Sequence, residues 1–160
     1  MRPLPRHLLL VLALGAAPPV LHAVDDTTPA AAPTRAGSPL VAAREHLAGQ
    51  RFAAAVDELK RVNAGSNADW NNLMGYALRK LTPPDLDGAQ RHYDAALRLD
   101  PRHRGALEYS GELFLMRGDL PRAEQRLAAL DRLCTLPCEE YTDLKNAVAR
   151  FKANGNRFVP

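Results

Sequence analysis

The sequence predicts an all-α fold: three helical hairpins stacked side by side and closed by one C-terminal helix. Three observations predict it. Apolar residues recur at helical spacing through most of the chain. The pattern returns after thirty-four residues, which makes Ala55, Ala89 and Ala123 equivalent. The periodic stretches are also separated by helix stops such as Asp100-Pro101. Proline cannot continue a helix, and it biases the residue before it out of the α region.

The first element is not part of that stack. In MRPLPRHLLLVLALGAAPPVLHA, Arg2 and Arg6 precede an apolar run from Leu8 to Ala17 and then small residues, the layout of a secretory signal peptide over 1–23. The run is about half the length that spans a bilayer core. Pro3, Pro5, Pro18 and Pro19 oppose a buried helix there. Cleavage is expected after Ala23, because a cut after Ala17 would leave Pro18 at the new N-terminus. No cysteine follows the run, so neither a lipid anchor nor a stable membrane anchor is expected, and the predicted location is the periplasm. Residues 24–37, VDDTTPAAAPTRAG, hold almost nothing large and apolar and are expected to form a flexible leader.

Charge narrows the function. The whole chain carries 21 Lys+Arg against 18 Asp+Glu, a net +3. Two of those cations, Arg2 and Arg6, leave with the signal peptide, while all the acids lie beyond residue 24. The mature chain is nearly neutral, which gives no support to a nucleic-acid surface.

The hairpins follow in order. The first pairs a helix around Leu40, Ala43 and Leu47 with FAAAVDELKRV (52–62), whose Ala55, Leu59 and Val62 share a face. The second pairs WNNLMGYALRKL (70–81) with LDGAQRHYDAALRLDP (86–101), where Ala89, Tyr93 and Ala96 repeat that face. The third pairs ALEYSGELFLMRG (106–118) with LPRAEQRLAALDRL (120–133), with Ala123, Leu127 and Leu130. Gly75 and Gly111 fall at matching places in the opening helices. A helical glycine costs about 1 kcal/mol relative to alanine, so its recurrence implies close approach of a neighbouring helix. EEYTDLKNAVARFKA (139–153) has one apolar stripe, Leu144, Val148 and Phe151, and a charged side with Asp143, Lys145, Arg150 and Lys152. It suits a capping helix that keeps the stack soluble. Residues 154–160 are expected to be a tail.

On these residues (Leu73 or Met74, Gly75, Ala89, Tyr93, Ala96 and Pro101 in the middle unit, Leu107, Gly111, Phe114, Ala123 and Leu127 in the third) the chain resembles the tetratricopeptide repeat over about 38–133, and in particular small exported bacterial proteins of that kind. It departs from the pattern at three points. Trp70 stands one residue before the family tryptophan, whose place Asn71 takes. The turn TPPDLDG is about two residues longer than usual, and the third unit lacks the closing proline. The resemblance implies a right-handed solenoid whose concave face holds a peptide or protein segment, and hence a non-catalytic scaffold or assembly factor.

Spacing puts Asp69, Asn72, Tyr76, Arg79 and Lys80 on one face of the second opening helix, Glu108, Glu112 and Leu115 on the corresponding face of the third, and Arg44 on that of the first. In the resembled family this face lines the groove, so these residues are the expected partner contacts. Arg44 and Asn72 suit the clamp that family uses for chaperone tails, but Glu108 and Glu112 stand where it needs positive charge, so that ligand is not expected.

No catalytic role is expected. The chain lacks a glycine-rich phosphate loop, a helical His-Glu-x-x-His pair and Gly-x-Ser-x-Gly, and it suggests no cofactor. Cys134 and Cys138 bracket Thr135-Leu136-Pro137. In an exported protein a disulfide is the first expectation. The alternative function is a metal or redox accessory role for the pair, since Cys-x-x-x-Cys can hold soft ions such as Cu(I).

Overall fold

The computed structural model describes residues 38–136 and 138–159. The predicted signal peptide (1–23) and leader (24–37) lie outside the described residues. Within them the fold is all-α, with seven helices and no strand: α1 (Val41–Ala48), α2 (Phe52–Val62), α3 (Ala68–Arg79), α4 (Leu86–Leu99), α5 (Arg104–Met116), α6 (Leu120–Leu133) and α7 (Glu139–Ala153).

Local chemistry sets the helix starts. Asn67, Asp85 and Asp119 each accept a hydrogen bond from a backbone N–H of the first turn, at 2.9 Å from Trp70, 2.8 Å from Gly88 and 3.2 Å from Arg122. His103 does the same for α5 through Nδ1, which accepts from the Ala106 N–H at 3.1 Å. Glu139 and Glu140 place negative charge in the first turn of α7, where the helix dipole favours it. Between α5 and α6 the chain turns through Gly118 at φ 75, a left-handed conformation that suits glycine.

Each helix packs on the next in sequence. The odd-numbered helices α1, α3, α5 and α7 also touch one another in series, whereas among the described residues the even-numbered ones do not. The molecule is therefore two rows, and the odd row presents a continuous face.

Two apolar clusters fill the space between the rows. One gathers Leu40, Ala43, Ala55, Val56, Leu59, Trp70, Met74 and Ala77 from α1–α3 and the residue that opens α1. The other gathers Tyr93 of α4 with Leu107, Phe114, Leu130, Leu144 and Phe151 from α5–α7. Leu78 packs against both. Trp70 satisfies its one donor inside the first cluster, from Nε1 to the Leu59 carbonyl at 2.8 Å. Asn71 donates to the carbonyls of Gly65 at 2.7 Å and Asn67 at 3.0 Å, and so ties α3 to the turn before it.

The two internal glycines mark tight contacts. A Cβ on Gly75 would lie 2.7 Å from the Tyr93 ring and 3.1 Å from the Ala89 carbonyl oxygen; one on Gly111 would lie 2.5 Å from a Leu144 methyl. Tyr93, Ala89 and Ala96 are all fully buried, so α3 and α4 meet closely.

Candidate functional site

The candidate site is the exposed face of the odd row. Asp69 at the start of α3 is a junction. Its carboxylate accepts from Arg44 of α1 at 3.0 Å and sits 3.0 Å from His103 Nε2, at the start of α5. Both partners and Asp69 itself reach solvent, so the junction orients side chains more than it stabilises the fold.

Further along, Arg79 departs from its expected place in an open groove. Its side chain is 4% exposed and makes an ion pair with Glu112 of α5 at 2.7 Å. The guanidinium carbon lies 5.6 Å from the centres of both the Tyr76 and Tyr109 rings, and those rings are 4.8 Å apart. Arg79 is thus the hub joining α3 to α5. The Tyr93 hydroxyl is buried near Arg79, and burial raises its pKa although Arg79 pulls the other way. Burial also pushes the Tyr109 hydroxyl up to about 12, with Glu108 adding to the effect.

Leu115 is a correction to the expected groove. It is 1% exposed and belongs to the core of α4–α7. Its neighbour Met116 lines the outer cavity, while Leu115 turns inward one residue earlier. Asn72 and Glu108 lie on the expected face but are almost wholly buried, Asn72 against Gly105 of α5. Tyr76 and Glu112 are half-buried, while Arg44, Asp69 and Lys80 are exposed.

The odd row ends in a cavity of about 320 Å³ at the C-terminal ends of α3, α5 and α7. Leu81, Met116, Ala147 and Phe158 make it apolar, and Lys80 and Arg150 make its rim positive. Phe158 and Val159 belong to the expected tail, and Phe158 packs on the core. The sequence pattern did not identify them, because a single aromatic residue in a short polar segment carries no periodicity. Tyr109 was also missed, although it stacks on Tyr76 across the helix pair.

Of the histidines, His46 accepts from Arg51 Nε at 3.1 Å, and His92 lies 3.1 Å from Asn71 Oδ1 and edge-on to Trp70. Burial, aided by Arg91 and opposed by Asp85, lowers the His92 pKa. Cys134 and Cys138 are joined by a disulfide between α6 and α7. Among the described residues no three His, Cys, Asp or Glu side chains are grouped as metal ligands, and no helix is long and apolar enough to cross a membrane. No protein-family model matches this chain, and no curated protein matches it.

Proposed function

We propose that the chain is an exported, non-catalytic binding protein of the tetratricopeptide type, which holds a peptide or protein segment on the face of its odd helices as a scaffold or assembly factor in the periplasm. The thirty-four-residue recurrence of Ala55, Ala89 and Ala123, each buried at a helix contact, supports the repeat assignment. A right-handed solenoid follows from that assignment. The Arg2–Ala17 pattern and the Cys134–Cys138 disulfide support export into an oxidising compartment.

One observation carries the binding role. The odd row ends in an apolar cavity of about 320 Å³ with the exposed cations Lys80 and Arg150 at its rim. Concave apolar pockets with a few polar groups are the usual form of a binding site. Tyr76 beside it offers the amphipathic area typical of an interface anchor.

A photoreactive benzophenone side chain in place of Lys80 tests this in cells. A crosslinked partner is expected from position 80 and none from Arg98, which is exposed on α4 of the other row. Adducts from Arg98 alone would place the partner on the opposite side and refute the reading. Intact-mass measurement of the exported protein checks the export step: the chain should begin at Val24.

A further inference from the structure

The cavity at the end of the odd row has a neighbour. A second, more open hollow of about 480 Å³ lies beside it, lined by Phe52, Ala53 and Ala54 at the start of α2. Lys80 and Leu81 line both hollows, so they stand where the two meet. Together the hollows make one apolar groove, which runs from the start of α2 past the ends of α3 and α5 to the end of α7. An apolar side chain from outside the helices already seats there: Phe158 lines the first hollow and packs on the core.

The groove is positive. Its lining holds Arg51, Arg79, Lys80 and Arg150 against one acid, Glu112, and Arg79 already pairs with that acid at 2.7 Å. Among the described residues no carboxylate pairs with Arg51, Lys80 or Arg150. Lys80 lies 5.9 Å from the centre of the Tyr76 ring, and Arg51 donates to the His46 ring and the Glu45 carbonyl. The helix dipole accounts for two of these cations, because Lys80 and Arg150 stand at helix C-terminal ends. It does not account for Arg51. That residue opens α2, where the dipole disfavours positive charge and the first turn holds no acid. Cations gathered in one groove raise a local field that attracts anions.

We infer that the segment bound on the odd-helix face carries an acidic residue between two apolar ones, with the apolar side chains in the two hollows and the carboxylate on Lys80. This rests on the proposed binding role and names the chemistry of the partner. Lys80 is the cation for that carboxylate because, of the three without an acid, it alone lines both hollows. Arg51 and Arg150, one in each hollow, extend the positive field to either side. Shape favours a peptide over a lipid surface. A lipid surface takes up apolar side chains that project from a helix face, whereas these apolar residues line hollows that receive side chains. The hollows supply the affinity, and the cations set on-rate and specificity. Lys80 is exposed, so its pair with the carboxylate weakens as salt rises.

The test pans a phage-displayed random dodecapeptide library on the mature protein. A benzophenone side chain in place of Thr82, which is exposed in the second hollow, marks the peptides seated in the groove and leaves Lys80 intact. These peptides should share an Asp or Glu between two apolar residues. Lys80→Glu with Arg150→Glu should weaken their binding about tenfold, and the difference should shrink as salt rises. Changing the shared acid to its amide should also weaken binding, without touching the protein. Changing it to lysine should restore binding to the double variant, an exchange that a merely structural role would not produce. Arg98→Glu on the other row should change nothing, and circular dichroism should show every variant as helical as the native chain. Groove-bound peptides with no shared acid, or with equal affinity for the double variant, would overturn this inference and leave the binding role intact. Uptake by phosphatidylglycerol vesicles with no peptide crosslinked at position 82 would overturn it in favour of a lipid surface. If neither peptide nor vesicle binds there, this inference falls, and the binding role is judged separately by the crosslink in cells from position 80.

Discussion

Replacing Arg79 with alanine should destabilise the fold by about 3 kcal/mol. Removing one partner of a buried ion pair costs about 3–5 kcal/mol, because the other charge is left without compensation. Here the Arg79 side chain is 4% exposed and that of Glu112 is 23% exposed, so water partly relieves the abandoned carboxylate and the low end of the range applies. Two contributions keep the loss from being smaller. The guanidinium also sits over the Tyr76 and Tyr109 rings, and Glu112 would then stand beside Glu108 with no cation to offset it. For a domain of this size, about 3 kcal/mol lowers Tm by roughly 10 °C. Thermal and urea unfolding followed by circular dichroism measure it. The double variant Arg79→Met with Glu112→Gln should recover most of the loss, because uncharged groups of similar volume can replace a buried pair at little cost. If Arg79→Ala unfolds within about 0.5 kcal/mol of the native chain, Arg79 behaves as a solvated surface residue. The account of it as the hub of α3 and α5 is then refuted.

Glu108 binds its proton more tightly in the folded chain than in the unfolded one, so it weakens the fold as pH rises from about 4.5 to about 8. Glu108→Gln should therefore match the native chain at pH 4 and exceed it at pH 9 by about 1–2 kcal/mol, a discounted figure because the carboxyl borders solvent; urea titrations at both pH values measure it. Gly75→Ala should cost about 1–3 kcal/mol, since the added methyl meets the buried Tyr93 ring and a backbone oxygen. Gly111→Ala should cost less, because it meets only the Leu144 side chain and gains helix propensity, so comparing the two melts checks the difference. Reducing Cys134–Cys138 should change global stability little, because the loop it closes is short, while amide exchange at the start of α7 accelerates.

Much of the fold was legible because helix periodicity and stop residues act locally. The expected limits of 52–62, 120–133 and 139–153 match α2, α6 and α7. The two opening helices α3 and α5 begin two residues earlier than their apolar patterns suggested. Asn67 caps α3, and α5 is capped by the His103 ring, which is not among the common capping side chains. The site was less legible, for a physical reason. Spacing along one helix shows which residues share a face, but not what the next helix brings against that face. Arg79 and Lys80 are adjacent in sequence, yet one is buried on Glu112 and the other is open. Leu115 and Met116 divide in the same way between core and cavity. The tail residue Phe158 closes part of the cavity through a contact that no local pattern encodes.

The two apolar clusters meet inside the second hairpin and not between hairpins. α3 contributes Trp70, Met74 and Ala77 to one, while its partner α4 contributes Ala89 and Tyr93 to the other, and Leu78 is the shared residue. Helical stacks gain their stability from nearest-neighbour contacts, so they can open in parts. In this molecule the α3–α4 seam, where Gly75 is pressed against Tyr93, is the most extensively packed joint, so the weaker joints lie on either side of it, between α2 and α3 and between α4 and α5. Loss of α1 and α2 would strip the apolar side of α3 yet leave the α4–α7 core whole. The Arg79–Glu112 bridge crosses from one part to the other, so a segment that grips the face at that bridge would clamp the two parts together and raise the cost of opening for both.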